Sequence, residues 1–304
     1  MSFWRDNPCV PTWLGTATAW WNGSPPRILD PSPSQASTPV PGFTLSRGGK
    51  EDAPAVCEFL TLWFSTPRAR CDLPPAVLSK ALDEWDLWIV RRNGAIVGTV
   101  VRRWIQNAAI GLAVWPRAGV VDYFAVHPAV RTRGIGRWLL RTLQASTARP
   151  IPPHFILWEG LGLIPPLAMG RYWIWQAPGQ PTSNPNVKRI EGAAAAQAWQ
   201  TLTATTFLHS SWNPASVDLS IWTTPAGNVA VQDLFHRSVP DGRRMAMIIA
   251  ASPAAVAAFA AVSPWPILLG DQAWGADWTP DSPFQWIGYN VLAGTVTTAY
   301  PCFG

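Results

Sequence analysis

Lysine is almost missing from this chain. Of 23 basic residues only Lys50, Lys80 and Lys188 are lysine, and the other 20 are arginine, a skew that points to base composition in the coding sequence more than to a function. Charge of either sign is sparse, at 13% of residues. No basic run carries the interleaved aromatics that a nucleic-acid groove needs. Cysteine is limited to Cys9, Cys57, Cys71 and Cys302, which show neither metal-ligand spacing nor a disulfide framework. Buried or incidental thiols in a reducing, cytoplasmic compartment are the expectation, with no metal. The opening Met1-Ser2-Phe3-Trp4-Arg5-Asp6 has charges but no apolar stretch behind it, so no secretory signal is read. The longest apolar run, Met245 to Val262, is split by Ser252-Pro253 into a strand (Met245–Ala251) and an Ala-rich helix with Ser as cap and Pro in its first turn. No transmembrane segment is therefore expected.

What is abundant is apolar. Hydrophobic residues make up 48% of 304, including 20 Trp, beside 31 Pro. Such a chain can bury a large core and suits one big domain or two ordinary ones. The net charge of +5 suits an anionic ligand.

Residues 1–42 are rich in Pro, Ser and Trp and lack periodicity. The span Ser24 to Pro41 reads as an extended arm, and Phe3, Trp4, Trp13, Trp20 and Trp21 are apolar enough to hold it on the body. From Phe43 the pattern becomes regular. A short strand Phe43–Arg47 precedes a helix from Glu51 through Phe64 and a second helix from Pro74 to Trp85. Strands Leu87–Arg92 and Ala95–Trp104 meet at Asn93-Gly94, a strong hairpin signal. Further strands are read at His154–Trp158 and Arg171–Trp175. After a Pro/Asn-rich joint, Pro178 to Pro185, the order restarts: strand Val187–Ile190, helices Ala193–Phe207 and Ala215–Trp222, and strand Val229–Phe235. The Met245 strand and Ala-rich helix follow, then strands Pro266–Leu269 and Phe284–Val291. Three parts result: the arm 1–42, a first half 43–180 and a second half 181–304.

One stretch organises the first half: Val120 to Leu143. Val120 to Val126 is β-branched and aromatic, the composition of a buried strand. Ile135, Leu139 and Leu143 recur four apart, one apolar stripe of a helix. Between them stands Arg131-Thr132-Arg133-Gly134-Ile135-Gly136. Glycines let the backbone turn and gather its N–H groups, and the helix N-terminus points positive charge at the turn. Basic side chains, amides and a helix start together make a pyrophosphate cradle.

This segment resembles motif A of the GNAT superfamily of acyl-CoA-dependent N-acyltransferases. The strings along the chain resemble, more narrowly, the N-myristoyltransferase (glycylpeptide N-tetradecanoyltransferase) family. Ser2-Phe3-Trp4 with Pro8-Cys9-Val10-Pro11 is similar to its F-W…P-V-P, and Pro41-Gly42-Phe43-Thr44 to its P-x-G-F-x-W. Tyr123-Phe124-Ala125-Val126-His127 stands where it has N-F-L-C-V-H, and Arg131-Thr132-Arg133 where it has R-S-K. Gly160, Pro166 and Arg171-Tyr172-Trp173 keep the spacing of G…P…R-Y-W. Asp218, Trp222, Pro225 and Val229 match D-V-x-x-W-x-x-P-x-x-x-V, and Pro280 to Asn290 resembles G-D-G-x-L-x-Y-Y-L-Y-N. There are departures: Tyr123 replaces Asn, Trp158-Glu159 replaces Thr-Ala, and Thr66-Pro67-Arg68-Ala69-Arg70 replaces an acidic peptide-binding loop.

The resemblance implies an α/β fold of two tandem GNAT-like halves related by pseudo-twofold symmetry, a mixed central sheet flanked by helices. It implies transfer of a long acyl chain from myristoyl-CoA or another acyl-CoA to the N-terminal glycine amine of a protein. Phe124 and Ala125 would supply the oxyanion-hole amides. Val126, Arg131, Thr132, Arg133, Gly134, Ile135 and Gly136 would hold the coenzyme, and Phe3 and Trp4 would fold over it. The Gly304 carboxylate would deprotonate the amine. A free α-carboxyl has a pKa of about 3.3–3.7, so burial or a nearby negative charge would have to raise it. Glu159 is the alternative base. His127 is read as structural. The other readings open at this point are a GNAT-type short-chain N-acetyltransferase and a degenerate, non-catalytic interaction homologue.

Overall fold

The structure, a computed structural model, describes residues 27–28, 38–110, 113–147, 152–159, 168–177, 183–204, 208–270, 277–289, 291–292 and 296–297. These belong to two compact units. The first draws on Met1–Trp104, Arg117–Leu157 and Ile287–Gly294, and the second on Ile105–Pro116, Trp158–Trp286 and Thr295–Gly304.

In the first unit β1 (Thr44–Arg47) leads through a 3-10 turn at Lys50–Asp52 into α1 (Ala53–Trp63). Pro54 sits in the first turn, where its missing N–H costs nothing. Ala53, Val56, Cys57 and Leu60 form the buried stripe. Helix α2 spans Pro75–Ala81 only. The expected extension to Trp85 is instead a set of turns, with the Glu84 and Trp85 amides both donating to the Ala81 carbonyl. Strands β2 (Asp86–Arg92) and β3 (Ala95–Ile110) form the Asn93-Gly94 hairpin. Asn93 and Gly94 both have positive φ, at 49° and 83°, as a tight hairpin turn requires. Strand β4 (Ala113–Val126) is longer than its apolar core suggests, and its residues up to Pro116, like those of β3 from Ile105 on, belong to the second unit. It leads to α3 (Ile135–Ala145) and β5 (His154–Glu159).

The sheet order in this unit is β1-β2-β3-β4-β5. Its first two pairings are antiparallel, and β4 runs parallel to β5 with Gly119 to Val121 facing His154 to Ile156. Helix α3 is the crossover between that parallel pair. Its Ile135, Trp138, Leu139, Leu140 and Leu143 pack on Val90, Val97, Val100, Val121 and Ile156 from the sheet. Arg27–Ile28 pair antiparallel with Val291–Leu292.

The second unit contains β6 (Ala168–Gln176), β7 (Lys188–Ile190), α4 (Gly192–Thr203), β8 (Leu219–Thr224) and β9 (Gly227–Ser238). Then come β10 (Arg244–Ala251), α5 (Pro253–Ala260), β11 (Ile267–Gly270) and β12 (Thr279–Tyr289). Their order is β12-β6-β11-β10-β9-β8-β7, with β10 and β11 parallel and α5 crossing between them. The helix expected at Ala215–Trp222 is not formed. Asn213 turns the chain by accepting the Ala215 N–H, and Leu219–Thr224 pairs with both β9 and β7. Most of the Pro178–Pro185 joint lies outside the described residues. Among the described residues no helix is long and apolar enough to cross a membrane.

Candidate acyl-coenzyme A site

The junction from β4 to α3 has three parts. The first is a left-handed residue within the strand. Tyr123 adopts φ +45° inside β4, a left-handed conformation that costs a bulky residue about 1–2 kcal/mol. Three contacts oppose that cost. The Tyr123 N–H donates to the Asp122 carboxylate at 2.7 Å. The Tyr123 carbonyl accepts from the hydroxyl of buried Thr99 on β3 at 3.1 Å. The Tyr123 ring is buried beside Phe64 and Trp85, with centroids 5.6 and 6.2 Å away. The Phe124 and Ala125 amides follow directly. The Phe124 ring is half-buried against the core under α3, and Val126 packs there as well.

The second part is a 3-10 turn, Pro128–Arg133. His127 starts it by accepting the Ala129 N–H on Nδ1 at 3.2 Å, while its own N–H donates to the Val97 carbonyl and its ring meets Trp63 edge-on at 4.4 Å. Its role here is therefore that of a cap. Arg131 ties the turn back to the strand, its Nε–H donating to the Val126 carbonyl at 3.1 Å.

The third part is the start of α3. Gly134 has φ +81°, and a Cβ there would meet no atom within 4 Å. Arg131, Thr132, Arg133 and Gly134 are exposed, while Ile135 and Gly136 are buried. The first-turn amides of a helix lack intrahelical acceptors. The turn that leads into them carries two exposed arginines, and bare donors with positive charge are what a diphosphate requires.

The corresponding junction of the second unit, from β10 to α5, is closed. Pro253 removes one N–H, and Ser252 Oγ accepts that of Ala255 at 3.3 Å and donates to the Ala226 carbonyl. No glycine or basic residue stands there. Among the described residues, only the junction of the first unit carries a left-handed glycine and exposed arginines.

Thiol chemistry is disfavoured at the described cysteines. Burial pushes Cys57 up to about 11 and Cys71 up to about 12, so both are protonated at neutral pH. Among the described residues no group of three His, Cys, Asp or Glu could hold a metal. Phe3, Trp4 and Gly304 lie outside the described residues, and Glu159 is described only as the last residue of β5. The left-handed Tyr123, and the parts of Thr99 and Asp122 in holding it, escape sequence reading. An Asp directly before a bulky strand residue is a faint cue, and nothing local marks Thr99.

Residues 83–159, which include this junction, match the acetyltransferase (GNAT) domain. Among curated proteins none matches the chain. Two Saccharomyces cerevisiae N-myristoyltransferase structures with bound myristoyl-CoA align with TM-scores of 0.72 and 0.71 at 10% and 11% identity. Each alignment covers 97% of this chain, and 94% and 89% of the respective yeast chains. A third, with myristoyl-CoA and inhibitors bound, has a TM-score of 0.68 at 11% identity, covering 95% of this chain and 92% of that one. At that identity what is shared is the fold: mixed α/β, like the double-GNAT fold of N-myristoyltransferase.

Proposed function

We propose that this chain is an N-acyltransferase that moves a long acyl chain from acyl-CoA, myristoyl-CoA among the candidates, to the N-terminal glycine amine of a protein or peptide. The observation that carries the reading is the β4–α3 junction, where exposed Arg131 and Arg133 and the first turn of α3 follow closely on the left-handed Tyr123. Arg131 to Gly136 bind the diphosphate, with Thr132, Ile135 and Val126 along the coenzyme, and Phe3 and Trp4 cover it.

The amine attacks the thioester carbonyl carbon, and the Phe124 and Ala125 N–H groups stabilise the oxyanion, each worth roughly 3–4 kcal/mol when preorganised. The C–S bond then breaks, the coenzyme leaves as thiolate, and the amine proton passes to a carboxylate, that of Gly304 or of Glu159. Exposed Arg68 and Arg70 stand where the resembled family has an acidic loop, and they disfavour a basic acceptor.

The match of residues 83–159 to an acetyltransferase domain favours a second reading, a short-chain N-acetyltransferase. Thiol release from myristoyl-CoA and acetyl-CoA with a panel of N-terminal-glycine peptides separates the two. Long-chain preference supports the first reading and acetyl preference the second. Silence with every donor overturns both and leaves a non-catalytic interaction homologue.

A further inference from the structure

The left-handed backbone at Tyr123 is fastened by two polar side chains that take no part in the bond-making of acyl transfer. At Tyr123 the hydroxyl of Thr99, 0% exposed, donates to the carbonyl, and Asp122 Oδ1 accepts the N–H. A tyrosine released from these bonds returns toward negative φ, the region its Cβ prefers. The peptide unit carrying the Phe124 N–H turns with it, because rotation about φ swings everything that follows.

We propose that Thr99 and Asp122 are positioning residues for acyl transfer: together they hold Tyr123 left-handed, so that the Phe124 and Ala125 amides face the thioester carbonyl. The inference rests on the acyl-transfer reading above. It assigns to Asp122 the work of a hydrogen-bond acceptor, not of a base. It also predicts that binding of the donor and its turnover respond differently, since neither residue is part of the Arg131–Gly136 cradle.

The test uses the full chain and four variants: Thr99→Val, Thr99→Ser, Asp122→Ala and Asp122→Asn. Turnover is followed by thiol release, donor binding by calorimetry with free coenzyme A, and folding by urea midpoint. Misaimed amides should lower kcat of Thr99→Val and Asp122→Ala by about 10- to 100-fold, with coenzyme A affinity changed less than about twofold. Thr99→Ser restores the hydroxyl, and Asp122→Asn restores an acceptor oxygen, so each should recover most of the lost rate. Hydrogen exchange at Phe124 and Ala125 should quicken in the two disrupting variants. Wild-type turnover in Thr99→Val overturns the proposal. So does an Asp122→Asn variant as slow as Asp122→Ala and stripped of the acidic limb of its pH profile, which makes Asp122 a base. A wild-type chain silent with every donor removes the acyl-transfer reading and this role with it, whereas an active wild type with indifferent variants removes this role alone.

Discussion

Arg102, 2% exposed, donates from Nη1 to the carbonyl of Leu143 in the last turn of α3 at 2.6 Å. The same guanidinium binds Asp86 through Nε and Nη2, at 3.0 and 2.6 Å, and lies 4.0 Å from the Trp104 ring centroid. One buried cation thus joins β2, β3 and the C-terminus of the helix that begins at Ile135. Burial alone would lift the Asp86 carboxyl, but Arg102 and the Trp104 N–H hold it below the usual carboxylate range. Breaking one partner strands the other charge in the interior. Asp86→Ala and Arg102→Met should each cost about 3–5 kcal/mol in urea unfolding. The double variant should cost less than the sum, because no lone buried charge remains.

His154 gives a pH signature to the same region. Its ring is fully buried, with Nδ1 3.0 Å from the Pro152 carbonyl, and Gly119 faces it so closely that a Cβ there would approach its Cδ2 to 2.6 Å. Burial, with the Arg102 charge, pushes its pKa down to about 3. In the unfolded chain it binds a proton near pH 6.5. Stability from keeping it neutral is complete above that value and is lost as pH falls toward 3, by up to several kcal/mol. The stability that Asp86 gains from its lowered pKa is complete above the ordinary carboxylate range and is lost only as pH falls below it, so between pH 6.5 and 4.5 the slope should belong largely to His154. Urea midpoints of His154→Gln should flatten in that window relative to wild type; an unchanged slope would show that the slope comes from elsewhere.

Much of this architecture is legible because it is local. The Ile135–Leu139–Leu143 stripe, the Asn93-Gly94 turn and the Ser252-Pro253 start all state their structure within a few residues. Leu219–Thr224 misleads for the opposite reason. Its apolar residues fit a helix face, yet β9 and β7 lie on either side to pair with it, and tertiary pairing outweighs weak propensity. The left-handed Tyr123 is held by Thr99, 24 positions away, and no period in the sequence encodes that contact. The turn and helix start at Arg131 to Gly136 could be read locally, but the groups that fasten the residue before them could not.

If Arg131 and Arg133 neutralise phosphate, donor affinity must fall with salt. Arg133→Gln should weaken coenzyme A binding by about tenfold at low ionic strength and flatten the salt dependence, leaving the urea midpoint unchanged. Arg131→Gln should do the same and also lower the midpoint, because it loses the bond to the Val126 carbonyl. Equal coenzyme A affinity in wild type and both variants, measured by calorimetry, would move the phosphates elsewhere.

The base can be settled with one added residue. If the Gly304 carboxylate takes the amine proton, appending a single alanine displaces it by about 3.5 Å and should lower kcat by roughly 100-fold or more while donor affinity holds. If Glu159 is the base, the extended chain turns over normally and Glu159→Gln loses the acidic limb of the kcat profile.

Gly98 sets how closely α3 can pack on the sheet of the first unit. A Cβ at this position of β3 would stand 3.1 Å from Ile135 Cγ2 and 3.2 Å from Leu139 Cδ1, so the bare glycine lets α3 lie close on the sheet. Ile135 opens α3, one residue after Gly134, so a helix pushed outward there carries the Arg131–Gly136 segment with it. Gly98→Ala needs its neighbours to yield a few tenths of an ångström, whereas the branched side chain of Gly98→Val cannot be fitted by so small a shift. Valine should therefore cost about 1–3 kcal/mol of stability and weaken coenzyme A binding, with alanine intermediate in both. Parallel changes in urea midpoint and coenzyme A affinity across the glycine, alanine and valine series would tie helix seating to phosphate binding. A lowered midpoint with affinity untouched would mean that the helix start holds its position independently of its packing.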